Sequence, residues 1–161
     1  MTTQEGPHRT LVDDLATLPT RISQLIVRGG RDGRGVGASS VDWAPHQVFA
    51  HVRASDAISA PRIFQILVRP GVTLMEIDER RWAERLATGR LPFRQQQAMF
   101  RSGRQELVAV LSSLRDEEWL LAGNHERIGR VAIVDLARSI AEHETEHLGQ
   151  IEAWYRNAPV V

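Results

Sequence analysis

Apolar residues recur along this chain at steps of three and four, the spacing of one helix face, and not at the steps of two that mark a strand. Leu11, Leu15, Leu18, Ile22 and Leu25 or Ile26 define a first helix from about Thr10 to Val27, which Pro19 should bend or interrupt. The segment Gly29 to Gly37 is too rich in glycine for a regular element and reads as a long loop. A second helix should begin near Asp42 or Ala44, with Asp42 as cap and Pro45 in the first turn. One side of it carries Val48, His51, Val52, Ser55 and Ile66, and Pro61 should kink it. Arg69-Pro70-Gly71 ends that helix, and Asp78 can cap a short helix through Leu86. Pro92 opens a third long helix to about Leu114, with Met99, Phe100, Leu107, Val110 and Leu111 as its apolar stripe. A polar connector from Arg115 to Gly129 precedes a last helix from about Val131 to Tyr155, roughly 37 Å long at 1.5 Å per residue. No segment sustains apolar and polar alternation. The expected fold is therefore all-α: an antiparallel four-helix bundle with a short extra helix in the crossover and little or no sheet.

Composition sharpens this picture. With 161 residues, 42% of them hydrophobic, the chain can form one domain over 1–161 with its own core. It has no cysteine, which removes disulfides, a thiolate nucleophile and cysteine-based zinc sites, and leaves imidazoles and carboxylates as candidate ligands. All 20 basic residues are arginine, which excludes Schiff-base and P-loop lysine chemistry and points to a GC-rich bacterial genome. Net charge is zero and the arginines are spread from Arg9 to Arg156, so no basic face invites nucleic acid. The first ten residues lack a charged start followed by an apolar run, and no stretch reaches the ~18 to 20 apolar residues of a membrane span. The expected location is the cytoplasm, with no membrane partner.

Candidate chemistry lies in the histidines. On the last helix His143 and His147 continue the stripe of Leu136, Ile140, Ile151 and Trp154, so both face inward where apolar residues would otherwise sit. Residues four apart on a helix are about 5 to 6 Å apart at the Cβ, close enough for two imidazoles to reach one ion. His51 occupies the buried stripe of the second helix in the same way. A lone inward histidine is more often a hydrogen-bonded core residue than a ligand, and spacing alone does not bring His51 to the pair. The segment His143-Glu144-Thr145-Glu146-His147 also matches H-E-x-x-H, the zinc protease signature. The protease pattern is otherwise missing: Gln150 stands where one major subclass has glycine, and the only downstream acid, Glu152, is too near to be a distant third ligand. Glu144 is either the nearest candidate base or, 100° around the helix from His143, a solvent-facing residue. His125 reads as a surface or rim residue, His8 and His46 as solvated. Trp43, Trp82, Trp119 and Trp154 read as core and loop-packing residues, with substrate contact as the alternative. The runs Asp78-Glu79-Arg80-Arg81 and Asp116-Glu117-Glu118 read as solvated helix starts.

Three blocks carry a family resemblance: Trp43 to His51 entering the second helix, Ile77 to Glu84 in the crossover, and Ile140 to Ile151 in the last helix. Together they make the chain resemble the DinB-like superfamily of metal-binding four-helix proteins over nearly its whole length. The resemblance implies a three-histidine metal site, and His51, His143 and His147 match its positions. The glycine-rich loop after the first helix departs from the family's compact connection. Family members include thiol-cofactor transferases, a mycothiol-dependent isomerase and several homodimers. The resemblance implies no DNA-binding or polymerase role.

Two classes of function follow. The first is a metal-dependent enzyme acting on a small-molecule substrate: a transferase that activates a low-molecular-weight thiol as cosubstrate, or a hydrolase that activates water. The second is a non-catalytic stress-response or metal- or ligand-binding module whose ion chiefly ties helices together. Three imidazoles suit zinc or nickel first, with iron and manganese as alternatives. An open coordination position above a cleft would favour the enzyme.

Overall fold

The computed structural model describes residues 7–28, 43–86 and 90–157, with only the backbone at 80, 83, 84 and 86. The glycine-rich segment 29–37 and Asp42, the expected cap, lie outside the described residues. The elements are α1 (Arg9–Arg28), α2 (Pro45–Val68), β1 (Thr73–Leu74), α3 (Glu79–Leu86), α4 (Phe93–Ser113), a 3-10 turn (Glu118–Leu120), β2 (Ala122–His125), β3 (Gly129–Ala132) and α5 (Ile133–Asn157). Four long helices and a short helix in the crossover are thus present where the periodicity predicts them.

Local chemistry accounts for the helix ends. At the start of α2 the Ala44 N–H donates to Gln47 Oε1 at 2.9 Å, while Pro45, which has no N–H to leave unpaired, fills the first turn. Asp78 Oδ1 accepts from the Arg81 N–H at 3.0 Å and starts α3. Neither internal proline ends its helix. Pro19 cannot donate to the Leu15 carbonyl one turn earlier, and the Arg104 guanidinium donates to that carbonyl instead at 3.0 Å. The carbonyl that Pro61 leaves unpaired belongs to Ala57, an exposed residue that water can serve.

The apolar stripes meet in one core. Leu15, Leu18, Ile22 and Ile26 of α1 pack with Val48, Phe49 and Ile63 of α2, Phe100, Leu107 and Leu111 of α4, and Ile133, Ile140 and Ile151 of α5. Each such side chain contributes roughly 1.5–3 kcal/mol by leaving water. Met99, expected on the α4 stripe, is 48% exposed, and its place in the buried row is taken by Gln96 and Arg104.

α1 and α2 each pack on both α4 and α5. Running from Leu15 to Ile26, α1 passes Glu144, through Arg104, and then Tyr155, so α1 and α5 are parallel. The contacts of Phe49 with Phe93 and Phe100, and of Asp56 with Arg104, make α2 and α4 parallel as well. α1 runs against α4 and α2 against α5, an up-down-down-up bundle. Two successive parallel helices need a connection that travels the length of the bundle. The segment with β1 and α3 makes that journey.

The connector from Arg115 to Gly129 is more ordered than its polarity suggests. β2 and β3 form an antiparallel hairpin, and β1 joins β2 in parallel, pairing Thr73 with Asn124 and Leu74 with His125. Gly123 permits this approach, since a Cβ there would lie 2.9 Å from the Val72 carbonyl oxygen. Strands of two to four residues are too short to show alternation, which is why periodicity missed them. Among the described residues no helix is long and apolar enough to cross a membrane.

Candidate metal centre

α2 and α5, antiparallel neighbours, bring His51 to His143 and His147. Each residue offers one ring nitrogen, and the three lie within 4.8 Å of one another. His143 Nε2 is 3.1 Å from His51 Nε2 and 3.0 Å from His147 Nε2. All three residues are half-buried. His147 Nδ1 lies 2.8 Å from Gln150 Oε1, which only accepts, so this contact uses the proton on Nδ1 and turns Nε2 toward His143.

The arrangement fits an ion better than it fits hydrogen bonds. His143 Nε2 faces two other Nε2 atoms and has at most one proton, so it can bond to only one of them. Two nitrogens bound at 2.0–2.1 Å to a tetrahedral ion stand about 3.3 Å apart, close to the spacing here. Burial pushes the His51 pKa down to about 4, with the neighbouring His147 and His143 adding to the shift and Glu79 opposing it. Burial and His147 lower His143 in the same direction. Ligating histidines must be neutral, and this environment keeps these two so.

Glu144 points to the core, not to solvent, and is 1% exposed. Both of its oxygens accept from Arg104, Oε2 at 2.9 Å, and Arg104 also donates to Asp56 Oδ1 at 2.6 Å. Burial pushes the Glu144 carboxyl up to about 7, against the pull of Arg104. Burial would lower the Arg104 guanidinium, but Glu144 and Asp56 outweigh it and hold it above its ordinary range. A glutamate bound on both oxygens to a buried guanidinium is not free to act as the base of an H-E-x-x-H protease. The signal for this partner was present in the sequence: Arg104 falls on the core row Phe93, Gln96, Phe100, Leu107, Leu111 of α4.

The remaining histidines are more enclosed than expected. His125 is buried at the end of β2, with Nε2 3.3 Å from Glu76 Oε2 and Nδ1 accepting from the Arg127 N–H at 3.2 Å. It is a structural clip between β1 and the hairpin rather than a rim residue. His8 stacks on Trp119 at 4.4 Å, and His46 lies 6.1 Å from Phe93 with its Nδ1 buried and without a partner among the described residues, so both are packed rather than solvated. Trp119 is a core residue, as expected, whereas Trp43 is 43% exposed with its ring 5.1 Å from that of His51, on the rim of the triad.

Sequence reading also missed Glu79. It is half-buried and accepts a hydrogen bond from Ser55 Oγ at 2.7 Å, one helical turn beyond His51. Glu79, Ser55, Ser59, Ser139, His143 and Glu144 help to line a cavity of about 90 Å³ beside the triad. The acidic run around Asp78 looked like an ordinary helix start, and nothing local marks which of its members turns inward.

An up-down-down-up bundle with three imidazoles converging from two antiparallel helices defines a class of helical histidine-site proteins. Residues 12–151 match the DinB superfamily, and the chain belongs to that superfamily. Among solved structures it is similar to YfiT from Bacillus subtilis, described as "a probable metal-dependent hydrolase with an unusual four-helix bundle topology". The TM-score is 0.83 at 17% sequence identity, covering 96% of this chain and 89% of that one. No curated protein matches the chain.

Proposed function

We propose that this protein is a divalent-metal-dependent enzyme in which His51, His143 and His147 hold the ion, and that its reaction is hydrolysis of a small molecule. The observation that carries the reading is the convergence of three imidazoles, one of them held at Nδ1 by Gln150 so that its Nε2 points at the shared centre. Such hydrogen bonds from the non-ligating nitrogen are how metal-binding histidines are oriented. Zinc or nickel suits the ligand set first, iron or manganese next. When bound, the ion would lower the pKa of a coordinated nucleophile and polarise a carbonyl. Half-burial of all three histidines supports a reactive site over a sealed structural one. The name given to YfiT supports water as the nucleophile. A thiol cosubstrate is the second reading: a chain without cysteine must take sulfur from outside, and the same open position would receive it.

The test begins with elemental analysis of untagged protein, which should find about one ion per chain. Metal-dependent turnover in a panel of small esters and amides should then disappear in His51→Ala, which removes one ligand. Well under half an equivalent of metal, with no uptake on titration, would end the proposal. A thiolate charge-transfer band in the cobalt protein, with metal-dependent thiol transfer and no hydrolysis, would replace the first reading with the second.

A further inference from the structure

We propose that Glu79, anchored by Ser55 on the wall of the cavity beside His143, takes the proton from the nucleophile that attacks at the histidine triad. This rests on the metal-dependent reading above. A water that attacks beside the triad must lose a proton as it bonds to carbon, and a positioned carboxylate is a common acceptor.

The site's own geometry selects this residue. Among the carboxylates that line the cavity, Glu144 is bound on both oxygens by Arg104, and Asp56 is buried against the same guanidinium. Glu79 is tied to neither. Among the described residues its hydrogen-bond partner is neutral: Ser55 Oγ donates to Oε2 and fixes the carboxylate. It also stands outside the cluster of nitrogens that lie within 4.8 Å of one another, so it flanks the centre without belonging to the ligand set. The cavity that it lines also takes in His143, and Ser55, to which it is bound, lies one helical turn from His51.

The proton balance closes without any further reagent. As water attacks the substrate carbonyl carbon, an oxygen lone pair forms the new C–O bond, the carbonyl π pair moves onto its own oxygen, and the water O–H bond breaks with its proton passing to the Glu79 carboxylate. Collapse of the adduct expels the alkoxide or amine leaving group, to which Glu79 returns the proton, regaining its charge. Arg104 keeps Glu144 out of this exchange.

The experiment compares wild type, Glu79→Gln and Glu79→Ala, each loaded with cobalt and checked by circular dichroism for an intact fold. Glu79→Gln should keep one cobalt per chain with affinity within about threefold of wild type, because Glu79 is not a ligand. It should bind azide at the cobalt more tightly, by at least about threefold in the visible spectrum, because a negative charge beside the anion has been removed. Turnover of the ester or amide that wild type hydrolyses best should fall by about 100-fold or more. Formate should restore part of the loss in Glu79→Ala and none in Glu79→Gln, whose side chain still fills the space. Loss of cobalt from Glu79→Gln would make it a ligand and overturn the proposal. So would turnover and azide affinity both within about threefold of wild type. A wild-type protein that binds cobalt and azide but hydrolyses nothing in the panel instead fails the hydrolytic reading, and the proton-acceptor role falls with it.

Discussion

At His51 three influences meet: burial, two neighbouring imidazoles and the carboxylate of Glu79. The first two prevail and lower its pKa to about 4, below the 6.5 of an unfolded histidine. Between those values the unfolded chain binds a proton that the folded chain refuses, so the contribution of this ring to the stability of the metal-free protein rises with pH and is lost as pH falls from about 6.5 toward 4, opposite in sign to the contribution of Glu144, whose carboxyl is raised to about 7. Since the ring is only half-buried, solvent screening reduces the effect to roughly 1–2 kcal/mol. Urea unfolding of metal-free wild type and His51→Ala at pH 7 and pH 4.5, a comparison in which the Glu144 contribution cancels, should show wild type losing more stability than the variant by this amount at the lower pH. An equal change in the two proteins would mean that the ring is not held neutral. With metal bound, the same competition should release the ion in acid.

The four long helices are joined by one side chain. Arg104 of α4 reaches the Leu15 carbonyl of α1, Asp56 of α2 and Glu144 of α5, and it is 2% exposed. Asp56 lies five residues past His51, and Glu144 directly follows His143, so this contact also sets the rotation of the two helices that carry the triad. Arg104→Met should destabilise the fold by about 3–5 kcal/mol, because two buried carboxylates lose their counter-charge. Converting Asp56, Arg104 and Glu144 together to apolar residues of similar volume should recover much of that loss. Denaturant midpoints at a constant slope measure both. A loss under about 1 kcal/mol for Arg104→Met would show that water reaches the network.

For the molecule as a whole, a site made by α2 and α5 exists only when the bundle is folded, so an ion that binds there stabilises the native state. At free metal one hundred times the dissociation constant the gain is about 2.7 kcal/mol, or roughly 5–10 °C in Tm for a chain of this size. Thermal unfolding with zinc and with a chelator should differ by that amount, and His51→Ala, His143→Ala and His147→Ala should each abolish most of the difference. Retention of the full shift in any one of the three would remove that residue from the ligand set. The hairpin at the other end of the bundle should be indifferent to metal, since His125 is committed to Glu76 and the Arg127 amide.

Helix positions, the crossover helix and the inward direction of His143 and His147 follow from the sequence alone, because spacing of three and four along a chain encodes which residues share a face. The run of family motifs likewise pointed to His51 as the third histidine, although its own spacing did not connect it to the other two. What only the tertiary structure decided lies between elements. The parallel pairing of α1 with α5 and of α2 with α4 depends on which stripes interlock, and periodicity is the same for either direction of a helix. Glu144 and Glu79 exchanged their apparent roles for the same reason. Glu144 read as a candidate base or a solvent-facing residue but meets Arg104, forty positions earlier in the chain, while Glu79 looked like surface until the crossover laid it over Ser55. A local pattern can say that a side chain is buried or charged, but its partner is chosen by packing between distant segments, and the partner determines what a carboxylate can do.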